Sequence, residues 1–150
     1  MPIQIILGGA GAFLLYKLFT KNEQDQANAL LQSQNSAELN NFLKKYKLSF
    51  NPSQYSSMAN TIYEGTKYGL GDNYPAVVAT LKLLKNDADV AMLVKTYGSR
   101  QNYIFGIPQG EKRDLLTNIK KELGSNFGFF SGHIDNVNKD WQKKGITYIL

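Results

Sequence analysis

From residue 35 onward, apolar residues return every three or four positions, the spacing that lines one face of an α-helix. In "NSAELNNFLKKYK" the stripe is Leu39, Phe42, Leu43 and Tyr46, and Asn35 with Glu38 three residues later forms a capping-box pattern. Asn51 followed by Pro52 predicts a second start, with helix over 52–68 carrying Tyr55, Met58, Ala59, Ile62 and Tyr63. Val77, Val78, Leu81 and Leu84 predict a helix over 74–85. Val90, Leu93, Val94 and Tyr97 predict another over 87–97, closed by Gly98. Residues 99–110, "SRQNYIFGIPQG", read as an irregular loop. Leu115, Leu116, Ile119 and Leu123 predict helix over 111–123 up to Gly124. Ile134, Val137 and Trp141 predict a last helix, starting at Ser131 or His133 and running to Lys144 before Gly145. The tail "ITYIL" reads as a short strand or as an extended arm that pairs with a neighbouring chain, an ordered arm being preferred. These stripes are packing faces. The class is all-α, a globular bundle of five to seven helices.

The first residues follow a different rule. Residues 3–19 are apolar almost throughout, near the lower limit of the ~17–25 residues that cross a bilayer as a helix. Tyr16, Lys17 and Lys21 stand at its end, where an aromatic and snorkelling lysines mark a membrane border. No basic segment precedes the run and no small-x-small cleavage site follows it, unlike a secretory signal. Gly8, Gly9 and Gly11 would each cost a water-exposed helix about 1 kcal/mol, whereas membrane helices tolerate glycine. Gly8, Gly11 and Ala12 form a small-residue face against which a second helix could pack. Lys17 and Lys21 favour a cytoplasmic side for the larger part. Residues 22–34 are polar, with Ala27, Leu30 and Leu31 on one side, and suggest a stalk. The predicted organisation is an anchor over 1–21, a helical stalk or linker over 22–50 and a globular domain over 51–150.

Composition narrows the chemistry. The chain has 150 residues and no cysteine, which excludes disulfides, zinc ribbons and thiol nucleophiles. Its one histidine, His133, disfavours histidine metal clusters and a Ser-His-Asp triad, and reads as a surface or capping group. A net charge of +5 is spread among acids, apart from Lys44, Lys45 and Lys47, and gives no concentrated nucleic-acid face.

The order "YEGTKYGLGDN", "AVVATLKLLKN", "DADVAMLVKTYG", "DLLTNIKKELG", "HIDNVNKDWQKKG" resembles a single annexin-type repeat over about residues 52–145. Behind a membrane span, such a unit also resembles small membrane-anchored virion proteins of lipid-containing bacteriophages. The annexin resemblance implies calcium-dependent lipid binding through a Gly-x-Gly turn. Here Gly69 and Gly71 match, Asp72 stands where a threonine is expected, and only Glu111 or Asp114 could serve as the distant acid. That falls short of the about six to eight oxygens calcium needs. No metal and no cofactor is expected.

One acid is a catalytic candidate. Glu64, with Asp72 eight residues on, could act as a muramidase-like general acid if Tyr63, Tyr68 and Tyr74 walled it into an apolar pocket. A solvated glutamate is the preferred reading. Arg100 and Lys112 flank the 99–110 loop and could hold an anion, and "NFGFF" offers Phe127, Phe129 and Phe130 as a docking patch. The expected function is non-enzymatic: a single-pass structural protein joining a bilayer to a protein assembly such as a phage capsid or virion membrane. Its partners would be lipid, capsid or membrane-complex proteins and a further copy of itself, and its location a virion membrane or host inner membrane. The alternatives are a tethered wall-degrading enzyme and a basic module for nucleic acid or lipid.

Overall fold

The computed structural model describes residues 21–68, 73–124 and 132–150. The chain divides into two units, Met1–Gln34 and Asn35–Leu150. Among the described residues the secondary structure is almost entirely helical, as the spacing predicts. No helix there is long and apolar enough to cross a membrane. Residues 3–19 lie outside the described residues, and with them Gly8, Gly11, Ala12, Tyr16 and Lys17.

Helix α1, Lys21–Leu43, runs without a break through position 35. The capping pattern at Asn35 therefore opens no helix. No glycine or proline interrupts residues 21–43, so the backbone N–H groups that a cap would serve already bond within the helix. In the second unit the end of α1 buries Leu39 and sets Phe42 5.8 Å from the Tyr148 ring.

Helix α2, Pro52–Glu64, starts as the sequence predicts. Asn51 accepts from the Gln54 N–H at 3.0 Å, and the Asn51 N–H donates back to the Gln54 side chain at 2.9 Å. Its stripe buries Tyr55, Met58, Ala59 and Ile62. It ends four residues short of the predicted limit, at Gly65, where a Cβ would sit 2.6 Å from the Val77 side chain. Only glycine permits that approach to α3, Tyr74–Leu83.

Helix α3 is also shorter than its stripe, because Leu84 turns extended. The carbonyl that Lys85 would use in a longer helix belongs to Leu81, and it accepts the Trp141 indole N–H at 2.9 Å. The Lys85 N–H goes instead to the Asp89 carboxylate, at 2.9 Å. Helix α4, Asp87–Tyr97, matches its predicted limits. It buries residues on every side, from Asp87 and Asp89 to Tyr97, and so is the central element. Helix α5, Leu115–Leu123, begins at an Asp114 cap rather than at Glu111. Helix α6, His133–Lys143, buries Val137 and Trp141. Helix α2 packs on α4 and α3, α3 on α6, and α5 on both α4 and α6.

The tail is ordered, as expected, and its own domain holds it. Ile146 is buried. The Thr147 N–H and hydroxyl donate to Asp87 at 2.7 and 3.1 Å. Leu150 exchanges two hydrogen bonds with the Asn138 side chain, at 2.9 and 3.2 Å.

Three phenols of this core are pushed above their usual range. Burial is the main cause at Tyr55, reinforced by its hydrogen bond to Asp89. Burial alone leads at Tyr97. At Tyr148 burial is followed by the nearby Glu38 charge. In the unfolded chain all three ionise near pH ~10. Above that, the unfolded state binds fewer protons than the folded one, so stability falls as pH rises. The contribution is complete below pH ~10. Urea midpoints measured between about pH 8 and pH 11 are expected to drop at the alkaline end, with the buried tyrosines' share of the phenolate absorbance rising together with unfolding rather than before it.

Candidate functional site

The 99–110 segment is the largest departure from the sequence reading. Residues 100–113 form a β-ribbon standing between α4 and α5. At its base Arg100 and Arg113 exchange backbone hydrogen bonds of 3.0 and 2.8 Å. This pairing keeps 111–113 extended and explains the late start of α5. Higher up, Gln109 donates to the Asn102 carbonyl at 2.8 Å. Two short strands, β1 (Tyr103–Ile104) and β2 (Ile107–Pro108), then pair antiparallel. Phe105 and Gly106 make the turn, with φ of 50° and 79°.

Two positive φ values in a two-residue hairpin are the type I′ geometry, which matches strand twist and favours Asn-Gly. Phenylalanine in the first place is unusual, since a left-handed conformation costs a bulky L-residue about 1–2 kcal/mol. The ring gains no burial in return, for Phe105 is 87% exposed and Ile107 64%.

The foot of the ribbon is fastened on two levels. On the outer level the Arg100 guanidinium lies over the rings of Tyr63 and Tyr97, at 5.2 and 4.8 Å. It donates to the Tyr97 carbonyl at 3.0 Å and to the Asn60 side chain at 2.9 Å. The Tyr63 hydroxyl donates to the Gln101 carbonyl at 2.7 Å, and burial pushes this phenol up as well. The Tyr103 N–H donates to the Lys67 carbonyl at 2.7 Å. On the inner level, Asn102 donates to Asn118 at 2.7 Å. Asn118 in turn donates to the hydroxyls of Thr66 and Tyr97, at 2.8 and 3.1 Å. Beside them Arg113 and Glu122 form a 2.7 Å ion pair, 7% and 15% exposed. Buried amides joined in this way fix the ribbon's direction.

Glu64 does not sit in the apolar pocket that a general acid requires. Its side chain is 61% exposed and paired with Lys67 at 2.6 Å. That hydrogen bond is the main reason the Lys67 ammonium is held above its usual range. Of the proposed walls, Tyr68 is half exposed and Tyr74 is buried in the core, while Tyr63 is turned toward Gln101. The walls separate because α2 ends at Glu64, so Tyr68 lies past its end.

Asp114 caps α5, accepting from Thr117 N–H and hydroxyl at 2.9 and 2.8 Å, which occupies the carboxylate considered for calcium. Among the described residues no group of three or more metal-ligating side chains converges. His133 opens α6 with its ring 6.1 Å from Tyr74. Gly69, Gly71, Asp72, Phe127, Phe129 and Phe130 lie outside the described residues. Lys21 is the first residue of α1.

No protein-family model, no curated protein and no solved structure matches this chain.

The ribbon left one trace in the sequence. "IFGI" places glycine between apolar residues at the second position of a two-residue turn. The usual hairpin signal, Asn-Gly or Asp-Gly, is hidden because phenylalanine occupies the first position.

Proposed function

We propose that the protein is a non-enzymatic membrane tether, with residues 3–19 held in lipid and the helical domain carrying contacts to a protein assembly. The observation that carries this reading is the seventeen-residue apolar run and its border of Tyr16, Lys17 and Lys21. The domain's carboxylates support it by their structural employment. Asp87 holds the tail, Asp114 caps α5, and Glu64 pairs with Lys67 at the surface. A capsid or virion membrane of a lipid-containing phage is the assembly that the layout suggests, with Phe127, Phe129 and Phe130 as its contact.

The test is extraction of the full chain from membranes. Alkaline carbonate is expected to leave it in the membrane fraction and detergent to release it. Phe13→Asp combined with Leu14→Asp, each costing about 3 kcal/mol at the centre of a membrane helix, is expected to move it into the carbonate supernatant. Release of the unaltered chain by carbonate overturns the proposal.

A further inference from the structure

Helix α1 reaches the second unit without joining its core. The apolar residues it brings there are Leu39, 3% exposed, and the half-buried Phe42, and neither belongs to the hydrophobic core. No other helix shares more than a marginal contact with α1 among the described residues. The tail does join the core. Ile146 is one of its residues, and Tyr148 and Leu150 pack against it. Tyr148 also sets its ring 5.8 Å from Phe42. Glu38, one turn before Phe42, supplies the charge that acts most on the Tyr148 phenol. The tail thus touches the core with one set of contacts and the last turns of α1 with another.

On either side of this contact the chain is fixed. Thr147 is bonded to Asp87, and Leu150 to Asn138. After α1, the Lys47 carbonyl accepts from the Asn86 side chain at 3.1 Å, and the Ser49 N–H donates to Asp89 at 2.9 Å. Only residues 44–46 stand between the end of α1 at Leu43 and that first fixed point.

We infer that residues 146–150 are a strap that docks the end of α1 on the domain, and that opening the strap lets the chain pivot at residues 44–46. Helix α1 has no broad apolar stripe to take the strap's place, because Asn35, Ser36, Asn40 and Asn41 surround Leu39. A five-residue segment also opens at less cost than the core beneath it, since fewer buried contacts are broken. The inference extends the tether reading. A closed strap makes α1 carry the domain stiffly, and an open one puts a hinge there. Docking itself is tested without a membrane, so the two readings fail separately.

The chain has no cysteine, so one introduced thiol is a specific probe. The experiment uses the full chain in detergent. Leu39→Cys places the thiol where α1 is buried, and the exposed Asn40→Cys gives the open rate. With the tail intact, maleimide labelling is expected to be about tenfold or more slower at 39 than at 40. Ending the chain after Thr147 keeps the bonds to Asp87 and removes Tyr148 and Leu150. Labelling at 39 is then expected to come within about twofold of that at 40, with Trp141 keeping the emission of a buried indole. Tyr148→Ala, which leaves the Leu150 backbone in place, is expected to give most of the same rise. Ile149→Ala is expected to give none, because that side chain is 73% exposed.

Slow labelling at 39 after both tail changes means that the tail does not dock α1, and overturns the inference. Fast labelling at 39 with the tail intact overturns it too. If the shortened chain loses the buried emission of Trp141, Tyr148→Ala decides alone: fast labelling with Trp141 still buried supports the strap, and slow labelling overturns it. Release of the unaltered chain by carbonate overturns the tether and leaves the strap standing.

Discussion

Trp141→Ala is expected to cost the domain about 3–5 kcal/mol, a large part of the ~5–15 kcal/mol that holds a domain folded. The ring is fully buried between α6 and α3, and its N–H bonds the Leu81 carbonyl at 2.9 Å. Removing it opens a cavity and leaves that carbonyl with only the long 3.4 Å bond from the Leu84 N–H. The chain has one tryptophan, so the change is followed by far-ultraviolet circular dichroism in urea. Trp141→Phe keeps most of the ring and loses the hydrogen bond, and is expected to cost about 1–2 kcal/mol. A loss below about 1 kcal/mol for the alanine variant would show that the ring does not join the two helices.

A comparable effect is expected at Asp89, for an electrostatic reason. This carboxylate is fully buried and forms no ion pair among the described residues. It accepts from the Ser49 N–H at 2.9 Å, the Tyr55 hydroxyl at 2.6 Å and the Lys85 N–H at 2.9 Å. It also sits in the first turn of α4, where the helix dipole favours negative charge. Three donors and a helix end replace the water it gave up. Asp89→Ala leaves the buried Tyr55 hydroxyl and two part-buried N–H groups without their acceptor, and is expected to cost about 3–5 kcal/mol. Tyr55→Phe removes one donor and leaves the rest in place, and is expected to cost only about 1 kcal/mol. Urea unfolding at neutral pH compares the two. Similar losses for both would show that the carboxylate holds only the phenol, and neither the 49 loop nor the turn after α3.

Helix positions were legible because their signals are local. Asn51-Pro52 is a cap that acts within three residues, and the stripes at Tyr55–Ile62 spacing or at Val137 and Trp141 repeat every turn. What escaped depends on distant partners. The Asn35 pattern is a sound cap, but an uninterrupted helix already uses its backbone. Glu111 reads as helix by composition, and only the pairing of Arg113 with Arg100 keeps that stretch extended. Asp89 looks like any surface acid, and its burial depends on Ser49, forty positions earlier. At the candidate site, "SRQNYIFGIPQG" signals glycine turns without showing that Asn102 would be locked to Asn118. Glu64 was legible as an acid at a helix end, but not its exposure, which follows from where Gly65 stops the helix.

The Asp89 arrangement has a practical consequence. Its partners are neutral and Asp89 itself is fully buried, and the Arg113 and Glu122 pair is only 7% and 15% exposed, so dissolved ions act weakly on both. Screening acts on exposed charges, over a Debye length of about 8 Å at physiological ionic strength. Added sodium chloride is therefore expected to weaken exposed pairs such as Lys67 with Glu64 while leaving the fold almost untouched.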